Sequence, residues 1–220
     1  MPPNNSNPFT THPLTAPLLA DKSYTQVPQV PPQPPSPSPS PSPKSPYSPS
    51  SKSNSDSNPP KILKHTWHDP FFLKTTSSST ATALLRATFL FRTSTSPSST
   101  PTGHLLLHLG PDICGQPGIA HGGFLATVLD EVCGNLINYA GLDGGVGMFT
   151  GGLDVKYKRP VLVDDREGGE GTVIVATATA RVGMGMGRKV VVEGVIRDSS
   201  GEVCTTAEAV FVKKRGEGVL

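Results

Sequence analysis

The chain has 220 residues, 16% of them charged, and a formal net charge of +2 at pH 7. This balance lacks the basic excess of nucleic-acid-binding proteins, so we expect no nucleic-acid partner. No apolar run approaches the ~20 residues that a membrane-spanning helix needs, so we expect no membrane span.

Prolines and glycines divide the chain. Of the 24 prolines, 18 lie in residues 1–60, whereas all 23 glycines lie at Gly103 or later. Residues 31–58 are dominated by alternating Pro and Ser and have little to bury against the entropy of folding. We predict a disordered Pro/Ser-rich extension over residues 1–60 and one folded domain over residues 61–220.

The extension also bears on localisation. It is rich in Ser and poor in acids, as organelle transit peptides are, but it contains no Arg. We expect a cytoplasmic protein, with a mitochondrion or another organelle as the alternative. The three cysteines, Cys114, Cys133 and Cys204, are scattered and odd in number, which favours free thiols over a disulfide framework or a metal site.

The folded part begins with an aromatic segment and a pair of strands. Residues 61–75 contain the only Trp and Pro70, which predicts a short helix or irregular segment packed on the core. Ala83–Arg92 and His104–Leu109 are apolar, are bounded by Ser, Thr, Gly and Pro, and are predicted to pair as a hairpin.

A long helix is predicted next, from about His121 to Tyr139. Its apolar residues fall on one broad face at helical spacing: Phe124, Leu125, Val128, Leu129, Val132, Leu136 and Tyr139. The opposite side is small and polar: Gly123, Thr127, Asp130, Glu131, Gly134 and Asn138. We expect a sheet to cover the apolar face and a neighbour or a ligand to cover the polar side.

Four strands complete the chain, predicted over Val146–Val161, Thr172–Val182, Lys189–Arg197 and Glu202–Lys213. Each is rich in Val, Thr or Ala, and short turns separate most of them. Such short connections exclude the crossovers of a parallel sheet. The order of elements therefore predicts an α+β fold, with one long helix against an antiparallel sheet.

The start of the long helix is the first chemical feature. Gly122 and Gly123 would place backbone amides at a helix N-terminus, where negative charge is favoured, as a developing oxyanion requires. The alternative is that His121 and these glycines only form an N-cap and a tight turn. The loop by itself favours this second interpretation.

Asp130 is the second feature. It lies nine residues after His121, and a rise of ~1.5 Å per residue separates the two by about 13 Å. A carboxylate there cannot act at its own helix N-terminus, but it could serve a site built with a second copy of the chain. A hydrogen-bonded interface residue is the other interpretation, and for the adjacent Glu131 we prefer it.

These residues carry a resemblance to a known family. The chain resembles hotdog-fold acyl-CoA thioesterases of the phenylacetyl-CoA and 4-hydroxybenzoyl-CoA type, and is most similar to the eukaryotic branch. The resemblance covers about residues 80–214. Its motifs, in order, are Gly115–Gly123 followed by Asp130, then Thr150–Pro160, Gly187–Val192 and Gly201–Cys204.

The resemblance implies a hotdog fold, an antiparallel sheet wrapped around the long helix. It implies a homodimer or homotetramer whose sheets join edge to edge, with the active site at the dimer interface. The implied reaction is hydrolysis of an acyl-CoA to the free acid and CoA, in keeping with lipid metabolism. No cofactor is implied beyond coenzyme A as part of the substrate.

The resemblance also implies roles for individual residues. The Gly123 N–H would polarise the thioester carbonyl, and Asp130 from the partner subunit would be the nucleophile or the general base. Thr150 would hold the water or the carboxylate. His121 would orient the loop or contact the thioester.

Further positions are implied to bind substrate. Gly122 belongs to the same turn, and Gln116 lies one position from the family's usual Asn, Gln or His. Arg188 and Lys189 match the nucleotide-contacting segment, with Arg159 as a further candidate. Gly151-Gly152 departs from the bulkier residues expected there, which would widen the acyl pocket or only loosen the strand.

Two alternatives stay open. A hotdog hydratase or dehydratase would pair His121 with Asp130 of the partner subunit at the reacting carbon. A non-catalytic acyl-CoA-binding protein would use the Pro/Ser extension as a docking arm.

Overall fold

The structure is a computed structural model that describes residues 7–27, 83–92, 100–145, 147–164, 166, 170–181 and 188–214. Its helices in these ranges are α1 (Pro8–Thr11), α2 (Ala16–Ala20) and α3 (Gly122–Tyr139), with a 3₁₀ turn at Pro111–Ile113. The strands in the same ranges are β1 (Thr25–Val27), β2 (Leu84–Arg92), β3 (Thr102–Leu109), β4 (Cys114–Gln116), β5 (Ile119–Ala120), β6 (Met148–Tyr157), β7 (Thr172–Ala180), β8 (Lys189–Arg197) and β9 (Val203–Lys213).

Seven of these strands form one sheet in the order β1-β2-β3-β7-β8-β9-β6. Every neighbouring pair is antiparallel. Strands β4 and β5 form a separate two-stranded ribbon immediately before α3. Strands β1 and β6 are therefore the two edges of the main sheet within the described chain.

Helix α3 lies on one face of this sheet. Leu129, Val132 and Leu136 are fully buried, as their helical spacing predicts. On β8 the helix passes over Gly194, where an added Cβ would lie 2.8 Å from Leu129 Cδ2. A side chain at position 194 would therefore force Leu129 to move. Tyr139, predicted on the apolar face, is instead 44% exposed at the end of the helix.

The opposite face of the sheet carries a second apolar cluster. Phe9, fully buried, packs with four sheet residues, Leu90, Leu106, Val173 and Val175. Thr15, also fully buried, donates its hydroxyl to the Phe9 carbonyl at 2.7 Å. β1 then pairs with the edge of β2.

This cluster corrects the predicted disorder for residues 7–27 alone, because these residues are folded onto the sheet. The composition of the Pro/Ser-rich part does not apply to residues 7–27, because these residues have apolar side chains. Those side chains pack on a sheet face formed by residues much later in the chain. The rest of residues 1–60 lies outside the described residues, as does the aromatic segment predicted at 61–75.

The other elements agree with the predicted pattern. The hairpin of β2 and β3, the helix α3 and the strands β6 to β9 all occur, with bounds within a few residues of those predicted. The α+β prediction is confirmed, and one long helix wrapped by an antiparallel sheet is the hotdog arrangement. In the described part of the chain, no helix combines the length and apolar character needed to cross a membrane.

Candidate active site

His121 begins α3 as its N-cap. Its backbone N–H donates to the Ile113 carbonyl at 2.9 Å, which ties the cap to the preceding 3₁₀ turn. Its Nδ1 accepts the Gly123 N–H at 3.0 Å. An accepting ring nitrogen carries no proton, so the proton of the neutral ring is on Nε2.

The imidazole also lies against β4. An added Cβ on Gly115 would come within 2.7 Å of His121 Cδ2, so the ring occupies the space that a side chain at position 115 would need. His121 therefore forms the N-cap that one interpretation of the loop predicted, and a role of the Gly123 N–H at an oxyanion stays a prediction. The Gly123 N–H, assigned by resemblance to a thioester carbonyl, already has His121 as its acceptor.

Tyr157 holds the other end of the same peptide. Its hydroxyl donates to the Gly122 carbonyl at 2.8 Å. Its ring covers the glycine, since an added Cβ on Gly122 would lie 3.5 Å from ring atom Cζ. Tyr157 is not among the site residues predicted from the sequence, and strand alternation alone does not identify it.

A β-bulge explains why. Along β6, Thr150 pairs with Phe211 and Gly152 with Val210, so Gly151 is the extra residue. In a regular strand Thr150 and Tyr157, seven apart, would point to opposite faces. The bulge reverses the alternation, and both residues then reach α3. The two interpretations of Gly151-Gly152, a wider pocket or a looser strand, remain predictions, but Gly151 has this definite local effect.

The middle of α3 carries the second half of the candidate site. The Thr150 hydroxyl donates to Asp130 Oδ1 at 2.7 Å, a short bond of the kind that charged acceptors make. Burial, and secondarily the Asp130 charge, raises the pKa of the fully buried Cys133 to about 12. That thiol stays protonated near neutral pH and is therefore a poor nucleophile.

The two halves are separate within one chain. Seven residues of helix place Asp130 about 10 Å along the axis from Gly123. The polar side of α3 between them is open, because Gly123, Thr127 and Glu131 are all exposed. The predicted cover for this side is not supplied by the described residues of the same chain.

The remaining predicted residues lie around this open side or away from it. Gln116 is exposed on β4, close to the His121 loop in the chain. The Arg159 guanidinium is paired with Glu202 at 2.8 Å. Arg188 donates to the Lys213 carbonyl at 2.6 Å, and Lys189 is exposed beside it.

Sheet register separates these last two from the loop. Lys189 lies opposite Val212 on β9, whereas Tyr157 lies opposite Thr205. Seven strand residues correspond to about 23 Å, so within one subunit the basic pair and the loop lie at opposite ends of the strands.

Among the residues described, no three His, Cys, Asp or Glu side chains are grouped closely enough to hold a metal ion.

Comparisons with known proteins can be set beside this geometry. The model of the thioesterase superfamily matches residues 117–205, from the loop before α3 to the start of β9. No curated protein matches the chain.

Solved structures with similar chains include three bacterial proteins. BH2602 of Bacillus halodurans, solved with CoA, is 29% identical over 52% of this chain and 69% of its own, with a TM-score of 0.43. PaaI of the E. coli phenylacetic acid degradation operon is 15% identical over 52% and 74%, with a TM-score of 0.43. The thioesterase HI1161 of Haemophilus influenzae is 16% identical over 58% and 80%, with a TM-score of 0.43.

Proposed function

We propose that this chain, whose residues 117–205 belong to the hotdog-fold thioesterase superfamily, hydrolyses an acyl-CoA thioester to the free acid and CoA. The match to the thioesterase superfamily confirms the family resemblance read from the sequence, while the eukaryotic branch stays a prediction. One observation carries the proposal: the Thr150 hydroxyl donates to the Asp130 carboxylate on the open side of the central helix. A carboxylate held in this way is ready to act on a substrate bound against that side.

The proposed site is shared between two subunits. Strand β6 is a sheet edge whose backbone can pair with a second β6. Antiparallel pairing about the middle of β6 would set the Tyr157 end of one chain beside the Met148 end of the other. The His121 loop of one subunit would then approach Asp130 and Thr150 of the partner subunit. The same pairing would bring Arg188 and Lys189 of the partner subunit toward that loop.

The chemistry begins with polarisation of the thioester carbonyl by the Gly123 N–H. For this the carbonyl oxygen must replace His121 Nδ1 as the acceptor, since one N–H makes one strong bond. The bound oxygen then gains negative charge at a helix N-terminus, where the dipole stabilises it. His121 would remain beside the thioester, with its Nε2–H as a donor.

Asp130 supplies the attacking group by one of two routes. As a general base it takes a proton from water while the water oxygen bonds to the carbonyl carbon. As a nucleophile its own oxygen bonds to that carbon, and water later hydrolyses the mixed anhydride. In both routes the C–S bond breaks, the CoA thiolate leaves, and it takes up a proton. A single turnover in H₂¹⁸O distinguishes them, because the nucleophilic route can leave ¹⁸O on the Asp130 side chain.

Coenzyme A carries phosphates, which favour basic partners. Exposed Lys189 and its neighbour Arg188 are the proposed phosphate ligands. Arg159 is a weaker candidate, because its ion pair with Glu202 would have to be given up.

The test is release of free CoA from short, long and aromatic acyl-CoAs. We expect Asp130→Asn to lower kcat on the order of 10³-fold, because the amide cannot take a proton or attack. The amide oxygen can still accept from Thr150, so the fold should persist. Glu131→Gln is the matched control, since it makes the same change on the adjacent exposed acid. Near wild-type turnover by Asp130→Asn would remove Asp130 from the mechanism.

A further inference from the structure

We infer that Tyr157 is a positioning residue that holds the Gly122–Gly123 peptide in the orientation the reaction needs. The inference rests on the proposed function, because it assigns Tyr157 a task in that same site. It concerns a residue outside the set predicted from the sequence.

Two side chains hold the Gly122–Gly123 peptide, one at each end. The Gly122 carbonyl and the Gly123 N–H belong to the same amide plane. The carbonyl accepts the Tyr157 hydroxyl at 2.8 Å, and the N–H donates to His121 Nδ1 at 3.0 Å. The peptide lies in the first turn of α3, and these two side chains hold its two ends in addition to the helix backbone.

Only one of these two side-chain hydrogen bonds can persist when substrate binds. His121 accepts from the very N–H that the thioester carbonyl requires, so its bond must be released. Tyr157 acts on the opposite atom and does not compete with the substrate. During the reaction Tyr157 is therefore the side chain that keeps the Gly123 N–H directed at the developing oxyanion.

The Tyr157 bond also strengthens that N–H as a donor. A hydrogen bond accepted by an amide carbonyl polarises the whole amide, and the N–H of the same unit becomes a better donor. The gain is greatest when charge develops on the acceptor, which happens in the transition state rather than in the bound substrate. We therefore expect the effect of Tyr157 in kcat more than in KM.

The strand supporting Tyr157 is rigid enough for this task. Tyr157 pairs with Thr205 at the end of β6. The two following residues, Lys158 and Arg159, both donate their N–H groups to the Cys204 carbonyl, at 2.8 and 3.0 Å. The bulge at Gly151 sets the alternation that turns Tyr157 toward α3.

The experiment compares Tyr157→Phe with Tyr139→Phe in the full-length protein. Both variants lose one hydroxyl from a partly exposed tyrosine, 55% exposed at Tyr157 and 44% at Tyr139. Tyr139 lies at the far end of α3, stacked on Phe91, with ring centroids 5.2 Å apart. We expect Tyr157→Phe to lower kcat about tenfold, equal to ~1.4 kcal/mol of transition-state stabilisation, with KM changed less than twofold. Tyr139→Phe should keep wild-type kinetics.

A second readout needs no turnover. The backbone ¹⁵N–¹H resonance of Gly123 should shift in Tyr157→Phe and stay in place in Tyr139→Phe, at equal Tm. The inference about Tyr157 would be overturned, and the proposed function kept, by either of two results with an active wild type. One is a Tyr157→Phe kcat within twofold of the wild-type value, and the other is an unchanged Gly123 resonance. A wild type that releases no CoA from any acyl-CoA would overturn the proposed function, and the inference with it.

Discussion

His104 is the most strongly perturbed histidine in the described chain. Its Nδ1 lies 3.0 Å from Thr177 Oγ1, and its Nε2 lies 3.0 Å from the Tyr24 hydroxyl. Burial, and secondarily the positive charge of Arg92, lowers the pKa of His104 from 6.5 to about 4. The folded protein therefore holds this ring neutral, sealed under the N-terminal segment.

The shift predicts a loss of stability in acid. Below pH 6.5 the unfolded chain takes up a proton on His104 that the folded chain refuses until about pH 4. The free energy of unfolding should fall by about 2 kcal/mol from this residue between pH 7 and pH 5. Urea titrations at both pH values measure it, with His104→Gln as the variant that cannot titrate. Equal losses in wild type and variant would contradict the assignment.

The sequence predicts Asp130 and Thr150 as parts of one site, because their types and order match the family motif, and the structure joins the two by a hydrogen bond. The engagement of the Gly123 N–H by His121 could not be identified in the same way. A motif records which residues are present, whereas a hydrogen bond to Nδ1 depends on the rotamer and tautomer of one ring.

Among the secondary-structure elements, the N-terminal segment of residues 7–27 departs most from expectation. Its helices have four and five residues, too short to be stable alone. They form because the outer sheet face receives Phe9 and the partly buried Leu14, Leu18 and Leu19. The sequence contains these apolar residues, but nothing in it indicates a receiving surface beyond position 80.

Phe9 should be the anchor of this segment. Phe9→Ala should lower the free energy that holds the segment on the sheet by about 3 kcal/mol. The side chain is fully buried, so its removal leaves a cavity. The loss should appear as faster hydrogen exchange over residues 7–27, with α3 keeping its protection. Phe9→Leu is the control, since it keeps most of the apolar volume. Unchanged exchange in Phe9→Ala would show that the segment does not depend on this contact.

The bulge in β6 is a second feature that the sequence does not predict. Its sequence, Met148–Tyr157, reads as a single strand, and the prediction of a strand there is correct. The position of an extra residue depends on how β6 pairs with β9 rather than on local propensity. The sequence does not predict the contact of Tyr157 with α3, because the sheet face on which Tyr157 lies depends on that pairing.

At the scale of the molecule, the two edges of the sheet differ. The edge of β2 is covered by β1, so it offers less backbone for association. Among the described strands none pairs with the outer edge of β6, and Phe149 and Tyr157 on it are 60% and 55% exposed. This difference supports the proposal that the chain self-associates through β6, the strand that carries Thr150.

In the proposed dimer, each active site combines the Gly123 loop of one subunit with Asp130 of the partner subunit. This arrangement can be tested by complementation between two inactive chains. Asp130→Asn removes the carboxylate, and Gly123→Pro removes the loop N–H in the first helical turn, where no hydrogen bond within the helix is lost. Co-expression with two different affinity tags allows the mixed dimer to be isolated.

The measurement is CoA release by this mixed dimer. One of its two sites would have a normal loop and a normal Asp130, so we predict about half the wild-type rate, from parents that are each inactive. A mixed dimer as inactive as its two parents, with all three species folded, would contradict the shared site.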